Sequence, residues 1–325
     1  EVVENGYVAI TQKPDYATDP RFMDESTRGD FLKDNSLMLL RDYQLKAVHA
    51  IQQSASQGNK RFLFEMATGT GKTLIAAAVI KLFLRTSNAK RVLFLVDRIE
   101  LEDQAETAFN KYLKNDWQTV VYKRARNNWH SANIVVTTVQ SLNNKYAQAF
   151  SPTDFDLVIS DEAHRSIGGN ARAVFEYFTG YKLGLTATPK DYLKNIQDID
   201  ERDPREIERR QLLDTYETFG CSSGEPTFRY SLIDGVDDGF LINPVVADAR
   251  TEITTQLLSD EGYSVQMPND EGELVDTIFT HRDFERKFYS EKTNRIFCET
   301  FIQNALKDPI SQEIGKTIIF CVSQK

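Results

Sequence analysis

Cysteine is scarce in this chain of 325 residues: Cys221, Cys298 and Cys321 are scattered and never fall into C-x-x-C spacing. That pattern excludes a disulfide framework and a zinc site, and it leaves buried thiols as the expectation. Long apolar runs are missing as well. No stretch reaches the roughly 18 residues that a membrane span needs, and the opening "EVVENGYVAI" has neither the basic flank nor the apolar run of a signal peptide. A cytoplasmic location without membrane contact is the expectation. Positive charge is the third shortage, since 39 Lys and Arg face 48 Asp and Glu for a net charge of -9. Phosphate binding runs on Lys and Arg, so a surface that grips nucleic acid throughout is excluded, and any such role has to rest on a local track. Internal repeats and low-complexity tracts are also lacking.

What is there is enough apolar material, 41% of residues, to fill two ordinary domains. Residues 1–35 are polar, contain Pro14 and Pro20, and read as an arm or linker. From 36 to about 190, short runs of Val, Ile, Leu and Phe alternate with stretches of helical spacing. "RFLFEM", "RVLFLV", "NIVVTT", "DLVISD" and "KLGLTA" are the candidate strands of a doubly wound parallel α/β sheet. Residues 191–240 include the charge-dense "DIDERDPREIERR" and read as a connector. Residues 241–325 then hold a helical stretch from Arg282 to Leu306 and a closing strand, "KTIIFCV", that reads as the start of a second domain. The absence of an initial Met and the stop directly after that strand suggest a piece of a longer protein.

"EMATGTGKTL", residues 65–74, places a flexible turn between an apolar strand and an apolar helix. Thr68, Gly69, Thr70 and Gly71 let backbone N–H groups converge on one oxyanion at a helix N-terminus, where the dipole favours negative charge. Lys72 is placed to reach the β- and γ-phosphates of ATP, and the Thr73 hydroxyl to ligate Mg2+. The full pattern asks for Gly at 66, where the chain has Met66. A phosphate loop of this kind needs a metal partner and a base at another strand end. "LVISDEAH" offers Asp161 for the metal and Glu162 to polarise an attacking water.

Together these segments resemble a superfamily 2 helicase or translocase motor, which implies a RecA-like P-loop NTPase fold. "LRDYQ" is similar to the adenine-reading segment, with Gln44 on the base. "FLVDRIEL" and "TTVQSL" match segments that in this family touch the nucleic-acid backbone, so the resemblance assigns Arg98, Thr138 and Gln140 to DNA. "LTATP" matches the segment coupling the ATP site to the track, giving His164, Thr186 and Thr188 a linking role. "IIFCVS" resembles the first strand of the second motor domain. The segment "YKRARNNWH" is basic with two aromatics, and a DNA contact, a partner contact and an exposed loop all stay open for it.

Beyond the motor motifs, "YSLIDGVDDGFLINP" and "HRDFERKFYSEKTNRIFCETF" are similar to the R subunit of type I restriction-modification enzymes, over residues 36–325. That resemblance implies ATP-driven translocation along double-stranded DNA beside methylase (M) and specificity (S) subunits. A free-standing superfamily 2 DNA repair helicase is the alternative. The only nuclease-like set, Asp270 with Glu285, Arg286 and Lys287, carries helical rather than strand spacing, so this piece is not expected to cut DNA. The arginine that completes an ATP site in this family is expected after Lys325, which implies slow hydrolysis by these residues alone.

Overall fold

A computed structural model of the chain describes residues 18–35, 39–113, 116–142, 146–165, 169–191, 214–244, 263–268, 274–279 and 291–319. It divides into two compact units, Glu1–Asn243 and Pro244–Lys325.

The first unit is built on seven strands: β1 (Arg61–Met66), β2 (Val92–Val96), β3 (Thr119–Val121), β4 (Ile134–Thr138), β5 (Leu157–Asp161), β6 (Tyr181–Thr186) and β7 (Phe228–Tyr230). Their order is β3-β4-β2-β5-β6-β1-β7, and every pairing is parallel. All seven strands therefore end at the same edge, which is where α/β sheets place ligands. The five strands legible in the sequence are all present. β3 and β7, at three residues each, are too short to carry a period.

Both faces of a parallel sheet are covered, so its strands are apolar on successive residues, and side chains alternate between two cores. Phe62, Phe64, Val92, Phe94, Ile134, Val136, Leu157 and Ile159 point into one core, under α3 (Asp42–Ser56), α4 (Lys72–Arg85) and α5 (Ile99–Leu113). Leu63, Leu93, Leu95, Val135 and Val158 point into the other. There Trp129, Phe150, Phe155 and Phe178 pack ring against ring, at centroid separations of 4.9 to 6.0 Å, beside α8 (Gly169–Tyr177). The remaining short helices are α6 (Val139–Leu142) and α7 (Tyr146–Ala149), then α9 (Thr215–Thr218) and α10 (Leu232–Asp237).

Three boundaries differ from the sequence expectation. Residues 18–35 are helical, as α1 (Pro20–Met23) and α2 (Glu25–Asp34), held by a contact of Phe22 on Phe31. The stretch expected to be a connector supplies β7, which pairs with β1 through Phe64↔Phe228 to Met66↔Tyr230 and belongs to the first unit. The charged run 198–210 lies outside the described residues. In the second unit a hairpin of β8 (Tyr263–Pro268) and β9 (Leu274–Phe279) precedes α11 (Glu291–Asn304). No strand forms over 317–319, while 320–325, Asp270 and 285–287 lie outside the described residues. Cys298, on α11, is exposed rather than buried; Cys221 is half-buried.

Candidate active site

The phosphate loop leaves β1 at Met66, which is wholly buried and still paired with β7. This explains why glycine is not needed at 66: the residue belongs to the strand, and the turn begins at Ala67. Gly69 (φ 87°) and Gly71 (φ 80°) both adopt the left-handed backbone that side chains disfavour. Gly71 is also the residue that caps α4, so Lys72 and Thr73 open the helix. The loop is tied down from three directions. The N–H of Ala67 donates to Tyr230 O (3.0 Å), the Tyr43 hydroxyl donates to Thr70 O (2.7 Å), and the Gln44 amide donates to the same carbonyl (3.2 Å). Gln44 Oε1 accepts from the Arg41 N–H (2.9 Å), closing the first turn of α3. Gln44 is thus buried against the loop, and a Cβ at Gly71 would come within 2.9 Å of its Nε2.

Two strands away from β1 in the sheet, β5 ends in Asp161 and Glu162. Burial, and next the neighbouring Glu162 charge, push the Asp161 carboxyl above the ordinary range; Lys72 pulls in the opposite direction. The lysine of one motif therefore lies within electrostatic reach of the carboxylate of the other. Glu162 is one of three non-glycine residues with a positive φ (49°) among the described residues. A left-handed glutamate is costly, and such strain concentrates where a side chain must be aimed.

β6 lies between β1 and β5, and its end carries the threonines. Thr186 Oγ1 is 2.9 Å from Nδ1 of His164 and accepts from the Thr188 N–H (3.1 Å). His164 also stands 3.5 Å from Glu162 Oε2. Burial pulls the imidazole below its usual range, which keeps it neutral at pH 7 and makes the Thr186 contact a neutral hydrogen bond. Glu162, His164, Thr186 and Thr188 form one chain of contacts across two adjacent strands.

No cluster of three or more His, Cys, Asp or Glu poised for a metal exists among the described residues. A cation at this edge would have to rest on Thr73, Asp161 and oxygens brought by the substrate. This suits Mg2+, which takes few protein ligands and keeps several oxygens from phosphate or water.

Of the residues assigned to nucleic acid, Arg98 and Gln140 are exposed and follow β2 and β4, which are neighbours in the sheet. Thr138 requires correction. It is 0% exposed; its N–H donates to Glu102 Oε1 (2.9 Å), and its hydroxyl donates to Ser141 Oγ (2.8 Å). It staples the start of α6 to α5 and has no surface to offer a ligand. Sequence reasoning missed Glu102, a buried carboxylate also taken up by the Ser141 hydroxyl, because an acid within an amphipathic helix reads as solvated. In the basic 122–130 segment both aromatics, Tyr122 and Trp129, are core residues, and Arg124 pairs with Asp103 and Glu106.

A lysine-tipped glycine loop, an acid pair and a threonine turn thus stand at the ends of three adjacent parallel strands, at one edge of the sheet. Residues 37–191 match the family described as "Type III restriction enzyme, res subunit". The chain is similar to the endonuclease subunits of type I restriction enzymes. It is 30% identical over 306 residues to the EcoAI endonuclease subunit of Escherichia coli, an alignment covering 90% of this chain and 34% of that protein. Against the EcoKI endonuclease subunit of Escherichia coli strain K12 it is 31% identical over 320 residues, covering 87% and 25%. The chain thus spans between a quarter and a third of the length of these relatives. A solved fragment assigned to a type I HsdR subunit from Vibrio vulnificus YJ016 is 30% identical, with a TM-score of 0.42, over 61% of this chain and 32% of that one.

Proposed function

We propose that this chain is the ATP-hydrolysing part of a type I restriction R subunit, which draws double-stranded DNA past a complex of methylase (M) and specificity (S) subunits before cleavage. The observation that carries the reading is that the helix opened by Lys72 and the strand closed by Asp161 share one edge of the parallel sheet, because a phosphate-gripping lysine and a metal-holding carboxylate have to meet at one triphosphate. The N–H groups of Thr68 to Gly71 cradle the β-phosphate, and Lys72 spans the β- and γ-phosphates. Thr73 and Asp161 would hold Mg2+, which would supply charge neutralisation on the phosphoryl oxygens. Glu162 orients water toward the γ-phosphate and takes its proton. His164 and Thr186 pass a shift of Glu162 to Thr188, and Arg98 and Gln140 meet the DNA backbone. Gln44, with both amide atoms already on the protein, keeps one N–H and one lone pair for adenine.

The test is ATPase and triplex-displacement activity of the full-length subunit assembled with its partners, with duplex DNA, single strands and RNA compared. Duplex stimulation and triplex displacement, both lost in Lys72→Ala, are expected. Stimulation by RNA alone would overturn the restriction reading, and displacement of a short annealed strand without triplex displacement would favour a repair helicase.

A further inference from the structure

The segment after β7 makes contacts that the motor motifs do not account for. α10 ends in a left-handed Gly239 (φ 72°). Beyond it the N–H of Gly239 donates to Val236 O (3.0 Å), and those of Phe240 and Leu241 both donate to Gly235 O (2.8 Å each). This is the paired-bond cap by which a helix stops and the chain folds back on itself. It turns Leu241 inward. Gly235 makes room for it: a Cβ there would stand 2.6 Å from Leu241 Cδ1 and 2.9 Å from Cγ. Glycine within a helix is unfavourable, so its presence in α10 has a packing reason.

The other side of Leu241 meets the phosphate loop. A Cβ on Gly69 would lie 3.1 Å from Leu241 Cδ2, so the leucine methyl rests on the bare backbone of the loop's left-handed glycine. Ile242, the next residue, is 92% exposed. The leucine is therefore seated in a notch between two glycines, one in α10 and one in the loop. The same segment holds the loop's entry through the Tyr230 carbonyl on Ala67 N–H and through Tyr230 stacked on Tyr43, 3.9 Å between ring centroids. Tyr43 in turn holds Thr70 O.

We propose that residues 228–241 form a brace on the phosphate loop and that Leu241 is a positioning residue, fixing Gly69 in the conformation that turns its N–H toward a bound phosphate. This rests on the reading of the loop as a triphosphate site. Gly69, like Gly71, is among the freest backbone in the loop, and ordering a glycine costs more entropy than ordering other residues. A contact that orders it beforehand lowers the cost of binding.

The test uses the 325-residue chain as wild type, Leu241→Ala, Leu241→Met and Ile242→Ala. Affinity for a fluorescent ATP analogue with Mg2+, hydrogen exchange over 66–73 without nucleotide, and melting temperature are measured on each. Leu241→Ala should bind about five- to tenfold more weakly and exchange faster over 66–73, with the β2 and β5 amides unchanged. Leu241→Met should restore both, and Ile242→Ala should match wild type. Equal affinity and equal exchange in Leu241→Ala, with wild type binding nucleotide, would overturn the brace alone. A wild-type chain that binds no nucleotide would overturn this inference together with the ATP reading.

Discussion

Glu162 is where the backbone carries strain and where the water-activating carboxylate is proposed to act. Replacing it by Gln keeps size and backbone while removing the base. Glu162→Gln is expected to retain ATP binding and to lower hydrolysis by about 10² to 10⁴-fold, checked by single-turnover assays beside a binding titration. Asp161 makes the opposite demand on stability. Its raised pKa means that ionisation is resisted in the folded state, so its contribution worsens as pH rises through the carboxylate range. Asp161→Asn should therefore melt higher than wild type at pH 7 without nucleotide, yet lose the extra stability that Mg2+ and ATP give wild type. Differential scanning calorimetry with and without Mg2+ and ATP checks both halves. That Lys72, Asp161 and Glu162 stand at one sheet edge was legible in the sequence, because a glycine turn opening a helix and an acid pair closing an apolar run mark strand ends. Thr138 was misread because a strand-end threonine serves equally well as a hydroxyl facing a ligand and as a buried staple, and only the position of Glu102 distinguishes them.

At the level of elements, the opposite edge of the sheet is clamped by an ion cluster that the sequence does not reveal. Glu176 on α8 accepts from Arg61 at the start of β1 (2.8 Å to Oε1) and from Lys182 in β6 (3.0 Å). The Arg61 hydrogen bond, with Lys182 behind it, holds the Glu176 carboxyl well below its ordinary 4.5, at about 2. A depressed carboxylate stabilises the fold above its unfolded pKa, and that contribution fades as pH falls through the folded one. Glu176→Gln should cost about 1 to 2 kcal/mol at pH 7, after discounting for partial exposure. The gap to wild type should close between pH 4.5 and about 2, as urea titrations across that window would show. The five central strands were readable because each is a short continuous apolar run bounded by turn or helical residues, and α4 because its apolar run follows a glycine turn. β7 and the Gly239 turn were not, because a three-residue strand gains its identity only from the neighbour it pairs with.

For the molecule as a whole, a net charge of -9 makes the location of positive charge decisive. Arg98 and Gln140 are exposed just beyond the ends of adjacent strands, and under the proposed function they would give the DNA backbone a narrow track rather than a basic face. The double substitution Arg98→Ala, Gln140→Ala is expected to lower DNA stimulation of the full-length ATPase while leaving DNA-free hydrolysis in place. The salt slope of DNA binding should fall by about one, the share of a single lost cation. A loss of DNA-free hydrolysis in that variant would count against the track.

Both tryptophans, Trp117 and Trp129, lie in the unit that ends at Asn243, and Trp129 is sealed inside a cage of phenylalanine rings. Intrinsic indole emission excited at the red edge thus monitors the first unit alone. The segment from Pro244 onward is dark in that channel, so a dye placed on the exposed Cys298 would follow it independently in the same cuvette.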